Sequence, residues 1–175
     1  MKKIYKFLLY CLCISSSLSA QTSTEQFETE SHSSSSFTDN GVIFNINSHV
    51  GVFDIQANYP ATGWSGINSD NRYIDNMGVG GVVSGASFSI KTTSNLFKVN
   101  RFWIFLSNTG LNQNVTGALT VTGKLSGITK FTQTKTTGFV TSLGVTNGYT
   151  LIDLTNLNGQ NYSNLVLDEL QITLG

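Results

Sequence analysis

From Phe37 to the end of the chain, no apolar periodicity of helical spacing persists beyond two turns. Short runs rich in Val, Ile, Phe and Thr recur instead, separated by Gly, Asn and Ser. Runs of that length and content, bounded by turn residues, are strands. The pattern predicts strands over residues 41–47, 50–57, 87–92, 97–107, 117–124, 128–134, 137–143, 149–154 and 166–174. Asn147-Gly148, Ser126-Gly127 and Asn158-Gly159 supply turn signals between them, and an Asn-Gly pair suits the positive φ of a tight hairpin. A single Pro in 175 residues leaves the ladders uninterrupted. The expected fold class is all-β, a two-sheet antiparallel β-sandwich.

Two strands carry readable faces. Residues 102–106, Phe-Trp-Ile-Phe-Leu, are apolar at every position, as in a strand covered on both sides. The last strand alternates, with Val166, Asp168, Leu170, Ile172 and Leu174 on one face and Glu169, Gln171 and Thr173 on the other. Asp168 therefore lies in line with the apolar face. The chain stops at Gly175 directly after this strand, which predicts a missing final strand and an exposed terminal edge open to self-association or to a partner strand.

The amino terminus reads as an export signal over residues 1–20. Lys2, Lys3 and Lys6 precede the apolar run 7–14, and small residues follow up to Ala20, with cleavage after Ser19 or Ala20. The run is far shorter than the roughly 20 residues that span a bilayer, so no transmembrane segment is expected. Cys11 and Cys13 fall inside the signal, and the mature chain then has neither disulfide nor thiolate site. Three of the ten Lys and Arg leave as well, so seven basic residues face ten acidic ones. That balance excludes a nucleic-acid binder resting on a basic face. Residues 21–36, rich in Ser, Thr and Glu, read as a flexible spacer before a β-sandwich domain over 37–175.

Catalytic patterns fail one by one. Gly63-Trp64-Ser65-Gly66 is one residue short of a nucleophile elbow, and Gly78-Val79-Gly80-Gly81 lacks the third glycine of a dinucleotide fingerprint. His49 has no motif naming a partner and reads as a solvated turn residue. Asp168 and Glu169 are adjacent on a strand and point to opposite faces, whereas glycoside cleavage needs converging carboxylates. Asp54, Asp70, Asp75 and Asp153 remain without a reason to pair. The expectation is a non-catalytic protein.

Two kinds of site fit the residues better. Calcium takes hard oxygen ligands, and Asp39 beside Asn40-Gly41 together with Asp168 would supply two if the first and last strands pair. The competing roles are turn formation for Asp39 and capping of loop amides by Asp168. Trp64 in its glycine-flanked loop, with Arg72 and Tyr73 in a polar stretch, provides flat rings beside hydrogen-bonding groups, the chemistry that binds sugars. The alternative for Trp64 is a ring folded back over the core.

The opening Phe37-Thr38-Asp39-Asn40-Gly41-Val42-Ile43-Phe44, the middle Tyr73-Ile74-Asp75-Asn76, residues 99–106 and the closing Leu167-Asp168-Glu169-Leu170-Gln171-Ile172-Thr173 carry a resemblance. Residues 37–175 resemble a jelly-roll module of secreted and surface proteins from Bacteroidetes-type bacteria, related to galactose-binding and carbohydrate-binding domains. The resemblance implies a non-catalytic sandwich that binds carbohydrate or another surface ligand, with a structural calcium in some members. Asp168 matches the last-strand acidic position of such modules and Asp39 the early one. Relatives continue into a further Asp- and aromatic-rich strand that this sequence lacks.

Overall fold

The computed structural model describes residues 21–56, 61–67, 69–76, 85–107, 113 and 117–175. The expected signal over residues 1–20 and the Gly78-Val79-Gly80-Gly81 stretch lie outside them. The described strands, in chain order, are β1 (Ser36–Asp39), β2 (Val42–Val50), β3 (Phe53–Gln56), β4 (Tyr73–Asn76) and β5 (Ser87–Lys91), then β6 (Arg101–Ile104), β7 (Leu119–Leu125), β8 (Ile128–Lys135), β9 (Thr150–Asp153) and β10 (Glu169–Leu174). The fold is all-β and every pairing is antiparallel.

One layer is a six-stranded sheet in the order β1-β2-β5-β10-β7-β8. Two antiparallel two-stranded ribbons, β3-β4 and β6-β9, supply the other layer. Phe53 and Ile55 of β3 and Ile74 of β4 pack on Phe37, Phe44, Ile46 and Ile90, covering the β1-β2-β5 half. Phe102 and Ile104 of β6 and Ile152 of β9 pack on Leu119, Val121, Leu170 and Ile172, covering the β10-β7-β8 half. Phe88 and Leu174 touch both clusters and make the core continuous.

The last strand lies inside the sheet, against the expectation of an exposed terminal edge. β10 pairs with β5 through Glu169↔Lys91 to Thr173↔Ser87, and with β7 through Glu169↔Lys124 to Leu174↔Leu119. Gly175 extends the pairing, donating its N–H to the Ala118 carbonyl at 2.9 Å. The actual edges are β1 and β8. β8 is guarded by the charges of Lys130 and Lys135 and by Asn158, whose Nδ2 donates to the Thr134 carbonyl at 2.9 Å.

The outward face of the sheet is mostly polar, with Ile43 of β2, 58% exposed opposite Thr38, an apolar exception. Asn47, Ser89, Gln171, Thr122 and Thr132 form one row across five strands. Hydroxyls meet hydroxyls at Thr120–Thr134 (2.8 Å) and Thr122–Thr132 (3.2 Å). His49 is a strand residue rather than a turn residue, its Nε2 3.1 Å from the Ser89 Oγ. In the neighbouring row Glu169 takes Lys91 on Oε2 and Lys124 on Oε1, each at 3.0 Å. Burial pushes the Glu169 carboxyl up, but the hydrogen bonds and charges of the two lysines outweigh it and leave the group below its ordinary range.

Three further expectations change. Residues 137–143 are not a strand, because Gly138 at φ 73° turns the chain away from β8 and the Val140 N–H goes to Thr150 Oγ1 at 2.8 Å. β1 and β4 were hidden by their four-residue length and mixed composition. Residues 21–35 form no strand, yet they are tied to the domain. Phe27 packs edge-on to Phe37 at 5.1 Å, and Ser33 N–H donates to the Ile55 carbonyl at 2.7 Å. Glu28 Oε1 accepts from the N–H groups of Asn71 (2.7 Å) and Arg72 (3.0 Å).

Close packing at one glycine gives a direct test. A Cβ at Gly123 would fall 2.2 Å from the Phe131 Cε1 and 3.0 Å from the Leu167 Cδ2. Phe131 is itself stacked on Tyr162 at 4.4 Å, so its ring has nowhere to move. Gly123→Ala should therefore cost about 1–3 kcal/mol by overpacking. The reading is a lower urea midpoint with an unchanged slope; an unchanged midpoint would mean the ring yields freely.

Candidate functional site

The ribbons turn one face to the core and the other away from the six-stranded sheet. Strand alternation puts Asp54 and Gln56 of β3 and Tyr73 and Asp75 of β4 on that second face. On the other ribbon it puts Arg101 and Trp103 of β6 and Leu151 and Asp153 of β9 there. The register sets Asp54 opposite Asp75, Gln56 opposite Tyr73, Trp103 opposite Leu151 and Arg101 opposite Asp153.

Trp64 reaches this face from the loop before β4. Its ring stacks on Trp103, with centroids 5.1 Å apart and planes within 2°. The fully apolar 102–106 run is thus covered on both sides, by the core within and by Trp64 without. Asp70, 2% exposed, holds the loop in shape. Its Oδ2 accepts from the Ser65 N–H at 2.8 Å and from the Ser65 hydroxyl, while its backbone carbonyl accepts from the Gly63 N–H at 2.9 Å. A Cβ at Gly63 would fall 1.9 Å from the Asp70 Oδ1, so only glycine fits. Asn147, in the 3-10 turn Val145–Gly148, donates its Nδ2 to the carbonyls of Ala61 and Gly63, the latter at 3.0 Å.

Tyr149 joins the two ribbons. Its ring lies 5.5 Å from Phe105, and its phenol interacts with Tyr73, Asp70 and Asp75. Burial first, and those neighbours second, push the phenol far above its ordinary pKa, so it stays neutral. Asp75 is raised for a similar reason, chiefly burial, with Asp54 opposite adding repulsion against the lowering hydrogen bond from the Asn76 N–H. Like charges directly opposed on a sheet are unfavourable.

Of the residues expected to bind sugar, Tyr73 lies on this face, half-buried, and Trp64 covers Trp103. Arg72 immediately precedes Tyr73 with its N–H held by Glu28. The metal residues do not come together. β2 and β5 stand between β1 and β10, about 14 Å of sheet at ordinary strand spacing. Asp39 Oδ2 accepts from the Ser23 hydroxyl at the sheet edge. Asp168 Oδ2 accepts from the Ser126 N–H at 2.8 Å and caps the β7-β8 turn, while its Oδ1 is buried without a partner among the described residues. The Lys91 ammonium feels the Asp168 charge, so a cation there would meet another cation. Asp39 and Asp168 do not fit a shared calcium. Among the described residues no group of three or more His, Cys, Asp or Glu is placed to hold a metal ion.

Trp103, Tyr149 and the Asp54–Asp75 pair escaped the sequence reading. The uniform apolar run hid which of its residues faces out, and only the polar Arg101 two places earlier marks the side of Trp103. No protein-family model, curated protein or solved structure matches the chain. Among the described residues no helix is long and apolar enough to cross a membrane.

The raised Asp75 pKa fixes a pH dependence. An acid with a raised folded-state pKa contributes stability that is full below its unfolded value near pH 4 and lost as pH climbs through the folded value. Asp75→Asn should raise the thermal midpoint at about pH 7 and leave it unchanged near pH 3. Parent and variant midpoints that agree at both pH values would show that the fold does not disfavour the ionised Asp75 carboxyl.

Proposed function

We propose that this protein is an exported, non-catalytic β-sandwich module that binds carbohydrate on the outward face of its ribbon layer. The observation that carries the reading is the Trp64–Trp103 stack, set on the same face as Tyr73, Gln56 and the carboxylates of Asp54 and Asp75. Sugar rings present apolar C–H faces and a rim of hydroxyls. They are held by flat aromatic surface with donors and acceptors beside it. Trp64 is half-buried and spends one side of its ring on Trp103, leaving the other as a platform. Arg72, also half-buried, adds a cation within one residue of Tyr73. The resemblance to galactose-binding-like jelly-roll modules agrees with this reading, as does the leader-like composition of residues 1–20.

A non-catalytic role is supported by the geometry of the Asp54–Asp75 pair. Asp54 and Asp75 sit side by side on one ribbon and address a ligand from the same side. Glycoside cleavage needs an acid and a nucleophile or base flanking the bond from different sides. Side-by-side carboxylates accept hydrogen bonds from sugar hydroxyls instead.

A glycan array probed with the purified protein tests the proposal. Binding to one glycan class is expected, with Trp64→Ala weakening it about 30-fold or more, the loss typical of an aromatic hot spot. Loss of the stack on Trp103 should lower the thermal midpoint by only a few degrees and leave the protein folded, because the ring lies outside both core clusters. Silence across the array from folded protein would overturn the reading, and so would a Trp64→Ala variant that binds as tightly as the parent.

A further inference from the structure

The outward face continues past Trp103 to the end of its ribbon. Arg101 lies two residues before Trp103 on β6, hence on the same side, and Asp153 stands directly across from it on β9. An open groove of about 270 Å³ is lined here by Asn100, Arg101, Asp153 and Thr155. All four are polar, in contrast to the indole stack beside them.

The two charged residues are differently committed. Asp153 Oδ1 accepts from the Thr155 N–H at 2.8 Å and from the Thr155 hydroxyl at 2.6 Å. Those bonds, helped by the Arg101 charge, hold the carboxyl below its ordinary range. The carboxylate is therefore ionised, oriented, and left with Oδ2 as a free acceptor among the described residues. Arg101 is exposed, and its guanidinium has no hydrogen bond or ion pair among the described residues. Directly opposed residues on a strand pair have Cβ atoms about 4.5–5.5 Å apart. The groove thus sets a five-donor fork beside a fixed acceptor with no net charge between them.

We propose that Arg101 and Asp153 form a sugar-hydroxyl subsite adjoining the Trp64–Trp103 platform, and that it selects a neutral sugar bearing two neighbouring free hydroxyls. Each such hydroxyl donates once and accepts, so one meets Asp153 Oδ2 and the other the guanidinium. A carboxylated sugar gains from Arg101 and loses as much to Asp153. The inference rests on the carbohydrate-binding reading and refines its ligand class.

The test is a chemical-shift titration of isotope-labelled protein with methyl glucopyranoside, methyl galactopyranoside, methyl mannopyranoside and glucuronic acid. At least one neutral glycoside should shift the amides of Arg101, Asp153 and Thr155 together with the Trp103 indole N–H. Arg101→Ala and Asp153→Asn should each weaken that binding about 10-fold or more, the loss expected for a hydrogen bond to a charged group. Arg101→Ala should keep the parent thermal midpoint, since its side chain makes no hydrogen bond or ion pair among the described residues. If the sugars move only the two indole signals, or if Arg101→Ala binds as the parent does, the subsite is wrong while the platform stands. A preference for glucuronic acid that salt abolishes would overturn the neutral-sugar assignment. If no probe shifts either region, the subsite falls together with the platform.

Discussion

The sheet exists as one layer only because β10 lies between β5 and β7. Remove that strand and the β1-β2-β5 half and the β7-β8 hairpin have no pairing in common. Its register is pinned from both faces at once. Leu170, Ile172 and Leu174 must face the ribbons, and a slip of one residue would send Glu169 into the core. Outside, Glu169 meets Lys91 and Lys124 in a single row. A half-buried ion triad adds little net stability in general. Its value here is geometric, because only one alignment brings both ammonium groups to one carboxylate.

Much of this was written in the sequence, and what was not has a physical reason. Strong apolar alternation located β2, β5, β7, β8, β9 and β10 to within a few residues. The short strands β1 and β4 could not be seen locally, because their pairing rests on partners rather than propensity. The turn signal was in the right class but partly at the wrong place. Asn40 and Gly41 at φ 50° and 75° close the β1-β2 hairpin, whereas Asn147-Gly148 ends a 3-10 turn. Strand order is a global property, so the interior position of the last strand was invisible to local pattern. The same holds for residues 21–35, whose composition argued for freedom. Their few anchors, Phe27 and Glu28 among them, are matched by slots made elsewhere in the chain.

The candidate site follows from the unequal layers. A second layer made of two separate ribbons covers the core but leaves its own outer side to be finished by loops. The 61–67 segment finishes it on one side, held by Asp70 and Asn147 so that Trp64 lies flat on Trp103. Trp64 and Tyr73 could be singled out in the sequence as aromatics in polar surroundings, and both lie half-buried. Trp103, Arg101 and Asp153 were not, since a strand's outward face is defined only once its inward face has found a core. Asp39 and Asp168 stand apart on the same ground: they looked close only on the assumption that first and last strands are neighbours.

The interior position of β10 also sets the order in which the protein can come into being. Residues 169–174 leave the ribosome after every other described strand, yet they separate strands made far earlier. Until they arrive, β5 and β7 each present an open ladder, and the two hairpins on either side have no common sheet to join. Assembly is then dominated by contacts distant in sequence, which makes it slow. The six-stranded sheet therefore stays open until β10 is made, and closes when that strand slots into the gap between β5 and β7.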